Sequence, residues 1–429
     1  MRAIPAGYAR YAITAIICGY VIVSASAQSV EQAIAAALDN SPSIDRAEAQ
    51  KRAAREDVRQ ARASYLPEVS FDASASTSQR DARLRGSSDF SENSEPVSAS
   101  LRAQQSLYTH GLRPIAQRRA ITGVRARGHE LAATRNAIAL QVVEAMVRLH
   151  LARSTKDSEL RLHELITSQL TAEQERLRLQ AGTRTDVAQA EARLASADAS
   201  LARASGDIAQ AERHVTVLTG LEVAEFLPPL HEPPLPLSLE DALQLAWDSA
   251  PEIALARSNY DVSRLGVAAA SRRYGPQVNL SVEASTARRP SPAIERDDDV
   301  RATLSLSVPL FNGGRGSSER RQAYAQKTSA SADRRQAEQD IELRVTEAWF
   351  SVQSARLELS ALQTRLQAAD EALEGVRRGR GAGLWSVTDL LDAMEQKISA
   401  ERAIAETHAN LTLAAYQLSV TCGLYDLPR

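Results

Sequence analysis

Pro276-Gln277-Val278-Asn279-Leu280-Ser281-Val282-Glu283-Ala284-Ser285-Thr286 is the stretch on which the reading of the fold turns. Apolar Val278, Leu280, Val282 and Ala284 alternate with polar Gln277, Asn279, Ser281 and Glu283, the period-two pattern of a strand with one apolar and one polar face. The stretch is also a copy. Pro67-Glu68-Val69-Ser70-Phe71-Asp72-Ala73-Ser74-Ala75-Ser76-Thr77 lies 209 positions earlier with the same alternation and the same Pro, Val, Ala-Ser-Thr frame.

Working outward, residues 29–80 match residues 238–289 without gaps, pairing Ser29 with Ser238, Glu31 with Glu240, Asp39 with Asp248, Pro42 with Pro251, Ile44 with Ile253 and Tyr65 with Tyr274. A second block matches at an offset of 203, pairing Leu107-Tyr108 with Leu310-Phe311, Gly111 with Gly314, Glu144-Ala145 with Glu347-Ala348, Asp186 with Asp389 and Gly220-Leu221 with Gly423-Leu424. The change of offset falls between Arg80 and Leu107, in a connection. Two repeats follow, residues 28–221 and 239–429, joined by a linker at 222–238 that holds Pro228, Pro229, Pro233, Pro234 and Pro236 and cannot continue a helix.

Each repeat predicts a short helix, a helix opened by Pro42 or Pro251, two strands, a very long helix and a further long helix. The strands fall at about 67–80 and 96–108, then at about 276–289 and 300–311; the long helices fall at about 114–180, 183–219, 316–382 and 386–422. Both helical stretches are free of proline, which costs ~3 kcal/mol inside a helix, between Pro114 and Pro228 and between Pro309 and Pro428. Ile138, Val142, Ala145, Met146 and Leu149 recur at spacings of three and four, the stripe of a helix packed along one side. At 1.5 Å per residue the longest helices reach ~100 Å, and the shorter 42–64 helix stacked on 183–219 nearly matches that length.

The other strands alternate too: Val69, Phe71, Ala73 and Ala75 in the first, Val97, Ala99, Leu101 and Ala103 in the second, Val300, Ala302, Leu304, Leu306 and Val308 in the fourth. Segments of about ten residues, apolar outward and polar inward, are the signature of a lipid-facing barrel with a wet interior; a half-buried soluble sheet shares the pattern. Tyr65 and Tyr274 precede the first strand of each hairpin, and Tyr108 and Phe311 follow the second, so all four fall on one side. They suit a membrane interface or a plug at the base of the sheet. The opposite ends are expected to be exposed loops carrying Asp89, Glu92 and Glu95 in one hairpin and Asp297-Asp298-Asp299 in the other. Four strands leave two edges, which hydrocarbon does not tolerate, so the chain must assemble with copies of itself.

The N-terminus carries Arg2 and Arg10, an apolar run from Tyr11 to Val23, and Ala25-Ser26-Ala27, the features of a cleaved signal peptide over residues 1–27 with a mature start at Gln28. Cys18 lies inside it, in a poor lipoprotein context, and leaves Cys422 as the lone cysteine of the mature chain, read as a core thiol. A net charge of −2 over 429 residues offers no basic footprint for nucleic acid. Aromatic residues make up only 4%, which favours long helices over a compact aromatic core.

Val308-Pro309-Leu310-Phe311-Asn312-Gly313-Gly314 resembles the strand-to-helix junction of the TolC-like outer-membrane factors, and Leu107-Tyr108-Thr109-His110-Gly111 resembles a degraded copy of it. The Asn40-Ser41-Pro42 and Ala250-Pro251 turns, the duplication and Asp389-Leu390-Leu391-Asp392-Ala393 are similar as well. The resemblance implies a mainly α protein with a membrane β-barrel: a homotrimer whose four-stranded protomers close a trimeric α/β barrel in outer-membrane lipid, continued by long antiparallel helices through the periplasm. It implies docking to a periplasmic adaptor and an inner-membrane pump, with glycines Gly111, Gly313 and Gly314 allowing the turn out of the barrel. Asp389 and Asp392 match the two aspartates that line the family's closed periplasmic entrance; a ring of them attracts cations, so cation selectivity and block by polyvalent cations are expected.

Ser386-x-x-Asp389 and Thr183-x-x-Asp186 also read as helix-start capping arrangements. The cap is favoured for Asp186, and Asp392 leans toward the gate. Trp385 and Arg380 stand where a family member has an arginine and a tyrosine, and Gln180 stands at an expected turn glycine with Gly182 nearby. Gly182, Asp186, Arg380, Gly383 and Trp385 are therefore the candidate tip and adaptor contacts. No nucleophile elbow, P-loop or zinc pattern occurs, and the seven histidines show no pair at helical ligand spacing, so no enzyme, cofactor or metal is expected. The competing function is a periplasmic coiled-coil adaptor; between drug efflux and type I protein export the residues do not choose.

Overall fold

The computed structural model describes residues 30–82, 90–222, 231–291, 294–381 and 384–425. The expected signal peptide, Asp89, the linker residues 223–230 and Gly383 lie outside the described residues.

The first repeat runs α1 (Val30–Asn40), α2 (Pro42–Ala63), β1 (Glu68–Ala75), β2 (Ser78–Ala82), β3 (Phe90–Ser94), β4 (Val97–Tyr108), α3 (Leu112–Arg178) and α4 (Arg184–Thr219). The second runs α5 (Leu239–Ser249), α6 (Pro251–Arg272), β5 (Gln277–Ser291), β6 (Ile294–Ser307), α7 (Arg315–Gly381) and α8 (Val387–Thr421). Pro42 and Pro251 each occupy the first position of a helix, where a missing N–H costs nothing.

The helices α3 and α7 have 67 residues each, ~100 Å of rod. Along α3 the stripe of Ile138, Val142, Ala145, Met146 and Leu149 is buried throughout. The return helix α4 lies against it through Ala190, Ala197 and Ala204, buried at seven-residue intervals as in a coiled-coil seam. The shorter helices complete the return. Gly220 caps α4 in the left-handed region, at φ 72°, and a Cβ there would sit 3.0 Å from the Asn40 amide, so α4 meets the α1–α2 turn end to end. In the second repeat Gly423, at φ 67°, abuts Ser249 in the same way. Side by side the order is α2 with α4, then α3, then α6 with α8, then α7.

The main sheet has the order β1-β4-β5-β6, all antiparallel, so β4 and β5 join the two repeats and β1 and β6 are edges. Its register aligns apolar rows across all four strands: Phe71, Leu101, Ala284 and Val300 form one row, and Val69, Ala103, Val282 and Ala302 the next on the same face. The row between them is polar and faces the other way, with Ser70, Arg102, Glu283 and Arg301; Arg102 and Glu283 pair at 2.9 Å. A one-residue slip anywhere would mix the faces.

Three sequence expectations are modified. The first hairpin is broken in both strands. Its upper part is the separate β2–β3 ribbon, because Pro96 has no N–H to donate and Ser76 turns to bond the Pro96 carbonyl at 3.1 Å. The fourth strand ends at Ser307, ahead of Pro309, and starts earlier than expected at Ile294. It therefore contains Asp297, Asp298 and Asp299, which were expected in a loop: they pair with Ala287, Thr286 and Ser285 of β5. Arg296 meets Asp298 at 2.8 Å and Arg301 meets Asp299 at 3.3 Å, which compensates the acidic run and lets the ladder continue above the apolar rows.

Candidate functional site: the helical tip and the collar below the sheet

At the tip α3 ends in a left-handed turn at Gln180, φ 58°, with Ala181 N–H on the Arg176 carbonyl at 2.8 Å and Gln180 N–H on the Leu177 carbonyl at 3.0 Å. These are the two bonds of a Schellman ending, so Gln180 takes the conformation glycine usually supplies. Gly182 packs close behind, where a Cβ would lie 3.2 Å from the Arg176 Cβ. Both returning helices open with a capping box. Thr183 Oγ1 accepts from Asp186 N–H at 3.1 Å while Asp186 Oδ2 accepts from Thr183 N–H at 3.2 Å. Ser386 and Asp389 repeat it at 3.2 and 2.9 Å.

Asp389 is exposed and spends Oδ2 on the cap. Hydrogen bonds from the Ser386 hydroxyl and backbone hold its carboxyl below the ordinary aspartate value, against the smaller effect of burial. Asp392, one turn on, is bound by Arg193 of α4 at 2.7 Å, and the same guanidinium holds Glu395 at 2.5 Å. The two candidate gate carboxylates thus differ: one is a capped, open anion and the other shares a cation.

Arg380 and Trp385 fall on opposite sides of the second turn. Trp385 lies over Gly379, where a Cβ would come 2.5 Å from its ring. Arg380 crosses to Glu173 of α3, forming an ion pair in which both side chains are nearly enclosed, and Gln169 also donates to Glu173 at 2.5 Å. Burial pulls the Arg380 guanidinium below its usual value, with Glu173 opposing and Arg176 assisting. Around these groups Leu162, Ile166, Ala197, Leu373, Val387, Leu390, Leu391, Met394 and Ile398 bring all four long helices into one apolar cluster.

Higher along the same seam Arg402 meets Glu159 at 2.5 Å and Arg161 meets Glu401 at 2.8 Å. Sequence reasoning missed Glu173, Arg193, Glu159 and Arg402. Each ion pair joins residues about two hundred positions apart, and nothing in local spacing connects them.

The collar is built where strands become long helices. Gly111, Gly313 and Gly314 take φ of 77°, 61° and 80°, the left-handed region that glycine enters freely. Tyr65 carries the Arg113 guanidinium 5.2 Å above its ring, and Tyr274 donates its hydroxyl to Glu319 at 3.0 Å. Tyr108 stands edge-on to His110 at 6.4 Å, and Phe311 is 89% exposed. All four aromatics gather at the helical end of the sheet.

Among the described residues no helix is long and apolar enough to cross a membrane. No group of three or more His, Cys, Asp or Glu side chains among them could hold a metal ion. A four-stranded antiparallel sheet with apolar rows on one face and two bare edges, mounted on helical rods of ~100 Å, defines the class of outer-membrane channels with a periplasmic helical extension.

The chain belongs to the outer membrane efflux protein family, whose profile matches it twice, over residues 33–221 and 242–424. It is accordingly an outer-membrane protein that extends into the periplasm, and the family is one of transport channels. The chain is 25% identical to the outer membrane efflux protein BepC of Brucella suis over 60% of its length, an alignment that spans 57% of that protein. It is 23% identical to the outer membrane protein TolC of Vibrio cholerae over 90% of its length and 89% of that protein's. Its fold superposes on the crystal structure of the outer membrane protein VceC of Vibrio cholerae with a TM-score of 0.79 at 20% identity, covering 92% of this chain and 96% of that one.

Proposed function

We propose that three copies of this chain form a passive conduit from periplasm to exterior, the outer-membrane component of a tripartite efflux or type I secretion system. The observation that carries this reading is that residues exposed in one repeat have buried counterparts in the other. Leu343 and Phe350 on the free side of α7 are 59% and 58% exposed, whereas their counterparts on α3 are the partly buried Leu140 and the buried Val147. Val217 of α4 is 60% exposed and its counterpart Val420 is buried. The inner flank of each repeat is covered by the other repeat. The outer flank, with edge strands β1 and β6 above it, is left for another copy.

Three copies of four strands give twelve, wide enough for a channel, whereas two give the narrow eight-stranded case. In such an assembly Asp389 and Asp392 of each copy ring the periplasmic entrance and make it cation-selective. Gly182, Asp186, Gly383 and Trp385 form the tip presented to a periplasmic adaptor, Arg380 braces that tip from within through its enclosed pair with Glu173, and the inner-membrane pump supplies the energy. The aromatics Tyr65, Tyr108, Tyr274 and Phe311 mark the periplasmic interface of the outer membrane.

Light scattering of the detergent-purified protein tests the assembly, and conductance across a planar bilayer tests the pore. Trimers that conduct, with cation selectivity lost in Asp389→Ala/Asp392→Ala, are expected. A stable monomer that leaves the bilayer sealed would refute the conduit.

A further inference from the structure

The joint between the two repeats lies within one chain, yet duplication makes it a guide to the joint between chains. Inside the chain β4 pairs with β5, and just below them the His110 imidazole lies against Gly275, so close that a Cβ at position 275 would come within 2.2 Å of the ring. The internal joint therefore consists of one large side chain and one vacancy. His110 itself holds a left-handed backbone, φ 50°.

The repeat offsets carry His110 onto Gly313 and Gly275 onto Leu66. On the outer flanks the sizes are exchanged. Gly313, φ 61°, follows β6 on one flank, and a Cβ added there would meet nothing within 4 Å. Leu66 precedes β1 on the other flank and is 68% exposed. Beside Gly313, Leu310 and Phe311 are also bare, at 94% and 89%.

We propose that the edge-to-edge joint between copies repeats the internal joint with its partners exchanged, Leu66 of one copy seating over Gly313 of the next. This deepens, and rests on, the reading of the chain as a self-assembling channel. The exchange also sorts the hairpins. While β4 and β5 are still unpaired, joining two first hairpins would drive His110 against Leu66, and joining two second hairpins would leave Gly313 facing Gly275 across a void, so one overpacked and one underpacked contact disfavour these mispairings during folding. Once β4 and β5 have paired, only β1 and β6 remain to join copies.

The test is a four-protein cycle read as the trimer-to-monomer ratio in detergent: wild type, Gly313→His, Leu66→Gly, and the double variant that recreates the internal joint. Because His110 already adopts the left-handed backbone, histidine at 313 is compatible with the turn. Each single variant is expected to lower the ratio about tenfold or more, and the double variant to return to within about twofold of wild type.

A double variant no better than the worse single, or a harmless Gly313→His, would overturn the joint while wild-type trimers leave the conduit standing. A monomeric wild type would remove both. As a second measurement, Leu66→Cys/Gly313→Cys should oxidise to covalent trimers, and failure to cross-link in assembled trimers would equally sink the contact.

Discussion

Arg380, at the end of α7, is ion-paired with Glu173 of α3, and the two side chains are only 9% and 1% exposed. The pair ties the second helical hairpin to the first at the narrow end of the molecule. Removing one partner strands a buried charge, typically at ~3–5 kcal/mol, whereas exchanging both for apolar residues is far milder. Arg380→Ala should loosen the tip, seen as faster hydrogen exchange over residues 376–390 and as higher conductance in a planar bilayer. Arg380→Leu/Glu173→Leu should exchange more slowly than the single variant, because no charge is left stranded; exchange in Arg380→Ala equal to wild type would mean that the pair does not hold the tip.

Arg193 neutralises part of the acidic cluster formed with Asp392 and Glu395. Its removal in Arg193→Ala should expose those carboxylates and strengthen block by polyvalent cations severalfold. Adding Asp392→Ala should reverse the gain. Block unchanged in Arg193→Ala would place Asp392 away from the ion path.

The capping box at Ser386 and Asp389 predicts a pH dependence with a definite sign. Hydrogen bonds from Ser386 depress the Asp389 carboxyl in the folded protein. The cap's contribution is therefore complete above the unfolded-state aspartate value of about 4 and is lost as pH falls through the lower folded value. Ser386→Ala should cost ~0.5–2 kcal/mol at neutral pH. Its difference from wild type in thermal denaturation should shrink toward pH 2; a difference that grows in acid would contradict the cap.

The free flank of α7 offers a second test of assembly. Phe350→Asp places a charge where a neighbouring copy is expected to cover an apolar side chain that is 58% exposed in the protomer. Light scattering should show trimers replaced largely by monomers with unchanged helix content. Trimers of wild-type stability would move the interface elsewhere.

Cys422 is buried among Ala242, Ala246, Ile341 and Leu418, with its thiol 3.4 Å from the Ala242 carbonyl. Burial pushes its pKa up to about 11, so almost no thiolate forms at pH 8. A maleimide should label the native mature protein negligibly and label it once per chain in denaturant. Rapid native labelling would show that the α5–α8 packing opens.

Much of the fold was legible because its signals are local or self-similar. Alternation along Val278 to Ala284 marks a strand whatever its neighbours, and proline-free runs with a three-and-four stripe mark long helices. Pro96 and Pro309 were passed over when strands were expected at 96–108 and 300–311, although a residue without an N–H interrupts a ladder and the strands stop short of both. The acidic run Asp297-Asp298-Asp299 looked like a loop because its compensation comes from arginines whose reach depends on the pairing register. At the candidate site, Asp186 and Asp389 were readable as caps from a three-residue spacing, whereas the role of Arg193 at Asp392 was not.

Sequence alone determined that this chain is two copies of one unit, with strands of membrane length on helices of ~100 Å, because period and repetition are properties of a string. Tertiary structure alone decided which strand lies beside which, that Glu173 would receive Arg380, and that His110 would need Gly275. Those choices depend on atoms brought into contact across some two hundred residues of chain, where side-chain volume and charge act through space and leave no trace in local order.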